Sequence, residues 1–327
     1  VALAAAFVGL ASAPLCAQTV LASFDFEGVG NTVDSNAPAG FTNLGPTTFI
    51  NPVNASGDLS NGTTSTTAGS VGYIVTGGDN TLKTASTALF SGSQALRIFD
   101  RNSGTTFAGL VSLRNTTAIT NSPLSVLSFD FATTRHLTQT SNNSLFISFG
   151  TSGVDSRSAS TTANYARIEL RRAPGASGGT IVAASNSSVA SGNITPTNLL
   201  TSAFTLNLEH NLKIVVNDAE SARTYTIGSV ERTINANTYD VWLNGTRINT
   251  SVGASGLAMR STGEGITSSF AHFSFGTGTD TGINSDWVID NISVTGISAI
   301  PEPSTFASLA GLGSLGMVAL RRRRRVA

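Results

Sequence analysis

The chain has 327 residues, with 19 basic and 19 acidic side chains, 33 glycines and one cysteine. Charged residues make up only 12%, but aromatics and branched aliphatics recur along the whole length, which excludes a disordered polymer. The charge balance gives no basic footprint for nucleic acid, and a single cysteine excludes an internal disulfide framework.

At the N-terminus, Val1 to Leu10 is apolar, and Ala11-Ser12-Ala13-Pro14-Leu15-Cys16-Ala17 places small residues ahead of Gln18. This is the pattern of a secretory signal peptide, so residues 1–17 are read as one. Cleavage is expected after Ala17, since a cut after Ala13 would leave Pro14 beside the scissile bond. With no initiating Met and no basic stretch ahead of the apolar run, the true start is expected upstream. Cys16 suggests a lipoprotein, but Leu15 stands where a lipobox needs a small residue. Between Gln18 and Ile300 lie 14 of the 19 basic residues, 18 of the 19 acidic ones and no cysteine, so the body is near −4. Its stability therefore has to come from a core, and residues 18–299 are long enough for one large domain.

The dominant period in the body is two. Phe24 and Phe26 begin the pattern, followed by Leu96 and Ile98, then Leu127, Phe129 and Phe131, then Leu145, Ile147 and Phe149. Ile168 and Leu170 continue it, as do Phe204, Leu206 and Leu208, then Leu212, Ile214 and Val216, Val241 and Leu243, and Phe273 and Phe275. Each run predicts a strand with one face buried. Gly-rich clusters at Gly57 to Gly62, Gly175 to Gly179 and Gly276 to Gly282 predict loops, and Asn31 to Gly69 is patterned least. Asn244-Gly245 reads as a two-residue hairpin turn, because both central positions of a type I′ turn take positive φ. These features predict an all-β antiparallel sandwich or barrel.

Four phrases narrow the architecture: Ala22-Ser23-Phe24-Asp25-Phe26-Glu27-Gly28, Gly92-Ser93-Gln94-Ala95-Leu96-Arg97-Ile98, Tyr239-Asp240-Val241-Trp242-Leu243-Asn244-Gly245 and Trp287-Val288-Ile289-Asp290-Asn291-Ile292-Ser293-Val294. Together they resemble concanavalin A-like and carbohydrate-binding-module folds. The resemblance implies an antiparallel two-sheet jelly-roll sandwich in which the first and last strands lie side by side. It also implies a structural calcium near those strands, for which Glu27 and Asp290 are the better matches, with Asp25 close by. Asp25 and Glu27 read equally as the solvent face of the first strand. Asp280, Asn284 and Asp286 form a weaker oxygen cluster, without EF-hand spacing.

No catalytic constellation emerges. His136, His210 and His272 are far apart, no GxSxG elbow occurs, and Glu209, Glu220, Glu231 and Glu264 are scattered. Trp242 is the most informative aromatic. Strict alternation puts it with Asp240 and Asn244 opposite Tyr239, Val241 and Leu243, where an open indole flanked by hydrogen-bonding groups would stack a sugar ring. The alternative is a second layer that covers it. Trp287 is expected in the core.

The C-terminus carries the sharpest signal. Ile300-Pro301-Glu302-Pro303-Ser304 precedes an uncharged run from Phe306 to Leu320, and Arg321, Arg322, Arg323, Arg324 and Arg325 follow it. The 15-residue run is shorter than the roughly 17 to 25 residues of a stable span, and the arginines would stay cytoplasmic. An ordinary anchor with a fortuitous Pro-Glu-Pro is the bland alternative. Box, short transmembrane helix and basic stop resemble the PEP-CTERM sorting tail. That resemblance implies processing by exosortase, a membrane cysteine transpeptidase, and places the body at the surface or in the extracellular matrix of a Gram-negative-type bacterium. Two functions follow as expectations: a non-enzymatic protein that binds or scaffolds exopolysaccharide in a biofilm, or a carbohydrate-active enzyme of sandwich fold. Two carboxylates about 5 to 10 Å apart in a groove would favour the enzyme.

Overall fold

Alternating sequence makes strands, and strands with one apolar face must pair those faces. The computed structural model of the protein describes residues 18–24, 41–43, 71–76, 95–101, 112–119, 122–133, 143–154, 163–173, 176, 178–185, 195–206, 208–250, 254–259, 270–276 and 284–297. Of these, 41–43, 71–76, 97–101, 112, 143, 184–185, 195–198, 202 and 284–286 are described in backbone only. The signal peptide at 1–17 and the sorting tail with its helix at 300–327 lie outside the described residues.

One sheet holds β1 (Gln18–Phe24), β3 (Val71–Thr76), β4 (Ala95–Arg101), β6 (Leu124–Thr133), β11 (His210–Asn217), β14 (Thr238–Leu243), β15 (Thr246–Arg247), β16 (Leu257–Ala258) and β18 (Asn284–Ile297). The other holds β2 (Phe41–Asn43), β5 (Ser112–Asn115), β7 (Asn143–Gly150), β8 (Asn164–Arg172), β9 (Gly178–Ser185), β10 (Thr195–Thr205) and β17 (His272–Gly276). A separate hairpin is formed by β12 (Arg223–Ile227) and β13 (Val230–Ile234). The first sheet runs β15-β14-β11-β6-β18-β4-β3, with β1 on β18 and β16 on β14, and the second runs β10-β9-β8-β7-β17-β5-β2. Every pairing is antiparallel. The chain crosses between sheets at β1–β2–β3, at β4–β5–β6–β7, again at β10–β11, and last at β16–β17–β18, so this is a jelly-roll sandwich. Among the described residues there is no helix.

First and last strands are neighbours, as expected: Gln18 pairs with Ile297 and Phe24 with Ile292. The inner faces meet through rings. Phe129 on β6 stands edge-on to Phe275 on β17 at 5.0 Å, Phe131 to Phe204 at 5.3 Å, and Phe149 on β7 to Tyr239 on β14 at 5.3 Å. Trp287 is fully buried among them, 5.8 Å from Phe204, as read from the sequence. Edge-to-face pairs set the positive rim of one ring against the negative face of the next, which adds direction to apolar burial.

Two local expectations change. The run Phe204 to Leu208 is not one strand: β10 stops at Thr205 and Leu208 is exposed. The chain must cross to the first sheet there, and the His210 ring tightens that crossing, with Nε2 3.0 Å from the Thr205 carbonyl and 3.2 Å from its amide. The Gly175 to Gly179 cluster is not all loop either, because Gly178 and Gly179 open β9. Glycine is needed at 179 since the ring of Phe204 occupies the place of a Cβ.

The Tyr239 hydroxyl is buried in this core without a hydrogen-bond partner, and burial pushes its ionisation upward. Tyr239→Phe removes an unpaired polar atom, so urea unfolding should show unchanged or increased stability, up to roughly 1 to 3 kcal/mol. Phe129→Ala should instead lose about 3 to 5 kcal/mol in the same assay.

Candidate functional site

A sandwich offers two outer faces, and the two differ in chemistry. On the first sheet, alternation along β14 does put Asp240 and Trp242 opposite the core residues Tyr239, Val241 and Leu243. The open indole that sugar stacking would require is absent, however. Trp242 is 2% exposed and packs with Leu124, Val215, Tyr225, Ile234 and Ile297 under the β12–β13 hairpin. The covering layer holds, and no sugar ring has access to this indole.

Asp240 is fully buried beside it, and a buried carboxylate persists only when its charge and lone pairs are satisfied. Arg247 forms an ion pair with Oδ1 at 2.8 Å, Asn249 Nδ2 donates to the same oxygen at 2.8 Å, and the Tyr225 hydroxyl donates to Oδ2 at 2.6 Å. Trp242 Nε1 donates in turn to the Tyr225 oxygen at 2.9 Å. Burial, with the Asp240 charge adding to it, pushes the Tyr225 hydroxyl well above the ordinary tyrosine range. This constellation is a fastener that clamps the hairpin to the sheet. It has no face open to a ligand.

Asn244 occupies the expected hairpin turn, with φ of 49° at Asn244 and 78° at Gly245, and Leu243 pairs with Thr246. Its side chain contributes to a polar ladder rather than to Trp242. Asn244 Oδ1 accepts the Asn211 amide at 2.9 Å, Asn211 Nδ2 donates to Asp130 Oδ1 at 2.7 Å, and Asn291 Nδ2 donates to Asp130 Oδ2 at 2.9 Å. Asp290 faces Asp130 across β18 and β6, is fully buried, and accepts the Asn291 amide at 2.7 Å. The ladder spans the bulge between Asp290 and Ser293, where Asn291 has φ of 51°. Asp25 and Glu27, the other expected calcium ligands, lie outside the described residues, as does Asp280. Among the described residues, no group of three or more His, Cys, Asp or Glu side chains is placed to hold a metal.

His136 also lies outside the described residues. His210 closes the crossover, with Nδ1 3.0 Å from Asn244 Nδ2, and His272 Nδ1 stands 2.9 Å from the Asn115 carbonyl. Both rings are thus held by backbone and amide partners.

The outer face of the second sheet was not read from the sequence. Cross-strand register aligns Arg114 on β5, Ser274 on β17, Ser148 on β7 and Arg167 on β8 in one transverse row. In the next rows Phe146 faces Glu169, and Ser144 faces Arg171. The guanidinium of Arg167 lies 4.2 Å over the Phe146 ring. Arg171 grips Glu169 with two bonds, Nε to Oε1 at 2.8 Å and Nη2 to Oε2 at 2.6 Å, and Ser144 donates to Oε1 at 2.7 Å. The three arginines are half-buried, above a floor in which Ser144, Ser148 and Ser274 are buried. Ser148 Oγ and Arg114 Nε have no hydrogen-bond partner, while an Nη of Arg114 donates to the Ser152 carbonyl. The signal was present in Arg167-Ile168-Glu169-Leu170-Arg171, where charges occupy every position opposite the apolar ones.

Truncating Trp242 to Ala should lower unfolding stability by about 3 to 5 kcal/mol, as for a core residue. Tyr225→Phe removes a donor from Asp240 and the acceptor of the indole, with an expected loss of roughly 1 to 3 kcal/mol. Because the folded Tyr225 ionises above the unfolded value of 10.0, its contribution is complete below that pH and is lost as pH rises above it. Melting curves from pH 8 to 11 should fall with pH in the parent and fall less in Tyr225→Phe.

A family model described as the PEP-CTERM protein-sorting motif matches residues 299–324. No curated protein matches the chain. Among solved structures, the globular domain of calreticulin from T. cruzi is similar at 13% identity, with 94% of this chain and 100% of that one covered and a TM-score of 0.41. The alginate lyase vAL-1 from Chlorella virus is 13% identical over 64% of this chain and 87% of its own, with a TM-score of 0.36. Sheep galectin-11, in complex with glycerol, is 13% identical over 54% of this chain and 93% of its own, with a TM-score of 0.29. Likenesses of this size say nothing of a shared activity. The chain does carry a PEP-CTERM sorting motif at its C-terminus, which marks it as an exported, exosortase-processed protein of the cell envelope.

Proposed function

We propose that the body is a non-enzymatic polysaccharide-binding or scaffolding module, delivered to the cell surface or extracellular matrix and freed from its tail by exosortase. The observation that carries the reading is the outer face of the second sheet, where arginines stand over a floor of buried hydroxyls on rigid strands. Among the described residues, this face sets half-buried guanidinium donors on paired strands. Pro301, Glu302 and Pro303 supply the stretch read by the protease, and Arg321, Arg322 and Arg323 hold the tail's end at the cytoplasmic side.

A second reading, a carbohydrate-active enzyme, is favoured by one observation: Asp130 and Asp290 face each other on adjacent strands. Both oxygens of Asp130 already accept amide donors, which supports a structural role for the pair. Incubation of the purified protein with the host's own exopolysaccharide separates the two. Retention without new reducing ends is expected, whereas release that vanishes in Asp130→Asn would establish the enzyme. Mass spectrometry of the protein from an exosortase-containing host should find no surface-released peptide containing Met317.

A further inference from the structure

We infer that strand β1 and the turn at Ser122 clamp the last strand of the body where the sorting tail leaves it, and that this clamp limits how fast the tail is removed. The tail begins close to folded structure. β18 ends at Ile297, and only Ser298, Ala299 and Ile300 separate it from Pro301 of the Pro-Glu-Pro box. Three residues reach at most about 10 Å when fully extended. A protease that takes its substrate as an extended, unpaired strand must therefore work within that distance of the sheet.

Fraying of β18 would lengthen the reach, and the fold opposes it. From Ser293 to Gly296 the strand is paired on both sides, with Ser128 to Ser125 of β6 and with Ser23 to Thr19 of β1. Ile297 pairs with Gln18, is 1% exposed, and belongs to the cluster that holds Trp242, Tyr225 and Leu124. Gly296 is enclosed: a Cβ there would stand 2.9 Å from Ser122 Oγ and 3.2 Å from Leu21 Cδ1. Both walls are themselves held. Ser122 Oγ donates to the Leu124 carbonyl at 2.8 Å, and Ser125 Oγ donates back to the Ser122 carbonyl at 3.2 Å. Leu21 packs against the core at the register shift between Val20 and Ala22. Because β1 begins at Gln18, the residue expected to follow the signal peptide, the clamp closes only once the first and last strands of the body are both outside.

Tail removal breaks one peptide bond: its carbonyl passes to water or an amine acceptor, and the tail leaves with a new amine that takes up the acceptor's proton. The clamp does not touch this bond. It sets the room around it, which makes Leu21, Ser122 and Gly296 positioning residues for the processing step.

The test follows the full chain, pulse-labelled in an exosortase-containing host, by the rate of tail loss and the intact mass of the released body. The parent body should end between residues 298 and 305, past the clamp and ahead of the apolar run. Inserting Gly-Ser-Gly-Ser after Ser298 leaves clamp, box and apolar run intact and should speed tail loss by about two- to tenfold, the rate equivalent of one backbone hydrogen bond. Deleting Ser298 and Ala299 should slow it by a similar factor. Gly296→Ala crowds Ser122 and Leu21 and should also speed tail loss, with melting temperature monitored in parallel. Combined with the insertion it should gain little more, because both relieve one constraint, whereas a merely structural role for Gly296 would leave the two effects independent. Rates indifferent to both insertion and deletion would overturn the clamp as the limit, whether or not Gly296→Ala folds well. A released body that ends at or before Ile297 with its melting temperature unchanged would overturn the boundary. Retention of the tail in every form would overturn the inference together with processing by exosortase.

Discussion

Edge-to-face packing of rings between the two sheets is the interaction on which the rest of this structure depends. The body from Gln18 to Ile300 has no cysteine to cross-link it, so the spacing and angle of the sheets are set by side chains alone. Phe131 lies at the centre of this contact, 5.3 Å from Phe204, 5.5 Å from His210, and 6.2 Å from both Phe129 and Trp287. The same rings position the crossover from β10 to β11 and hold the β18 strand through Trp287. An error at Phe131 would therefore propagate to the strand that carries Asp290 and pairs with the N-terminus.

The first sheet carries its second constraint on the outside. Placing Asp240 and Trp242 on the face opposite the core leaves a carboxylate and an indole facing outward, and the hairpin that covers them makes both liabilities into fasteners. Asp240 needs several donors once it is dry, and Tyr225 from the hairpin, Arg247 from β15 and Asn249 beyond it supply them. A buried ion pair of this kind is weak evidence for added stability, since desolvation opposes the Coulombic gain. Its stronger consequence is registration: the donors converge on one carboxylate only when the hairpin docks in one position.

The strands were legible because their alternation is local. Leu127, Phe129 and Phe131 need no knowledge of their partners to declare a buried face, and Asn244-Gly245 declares a turn from backbone sterics alone. The hairpin was missed although Gly228-Ser229 separates two alternating runs, with Gly228 at φ of 60° in the first central position. Its short, polar strands, Arg223–Ile227 and Val230–Ile234, carry few large apolar residues, and their place over Trp242 is a tertiary fact. The exposure of Trp242 was therefore undecidable from alternation, which assigns a side and says nothing about what covers it. The arginine row depends on register across four strands far apart in sequence, information that no single segment holds. Gly179 follows the same logic, since only the folded chain brings Phe204 over it.

The two outer faces thus divide the labour of an exported sandwich. The first is closed beneath the hairpin, where the buried charge of Asp240 is consumed by internal bonds. The other carries its described charges on β5 and β8, with serines on β7 and β17 between them, and the inner faces of these four strands contribute Leu113, Ile147, Ile168 and Phe275 to the core. Because each strand alternates strictly, the apolar residues that stiffen the sheet from within also fix the spacing of the arginines outside it. Such a face is ordered by the fold itself, and outward residues such as Arg114, Glu169 or Arg171 can be exchanged without changing the inward set that holds the sheets together.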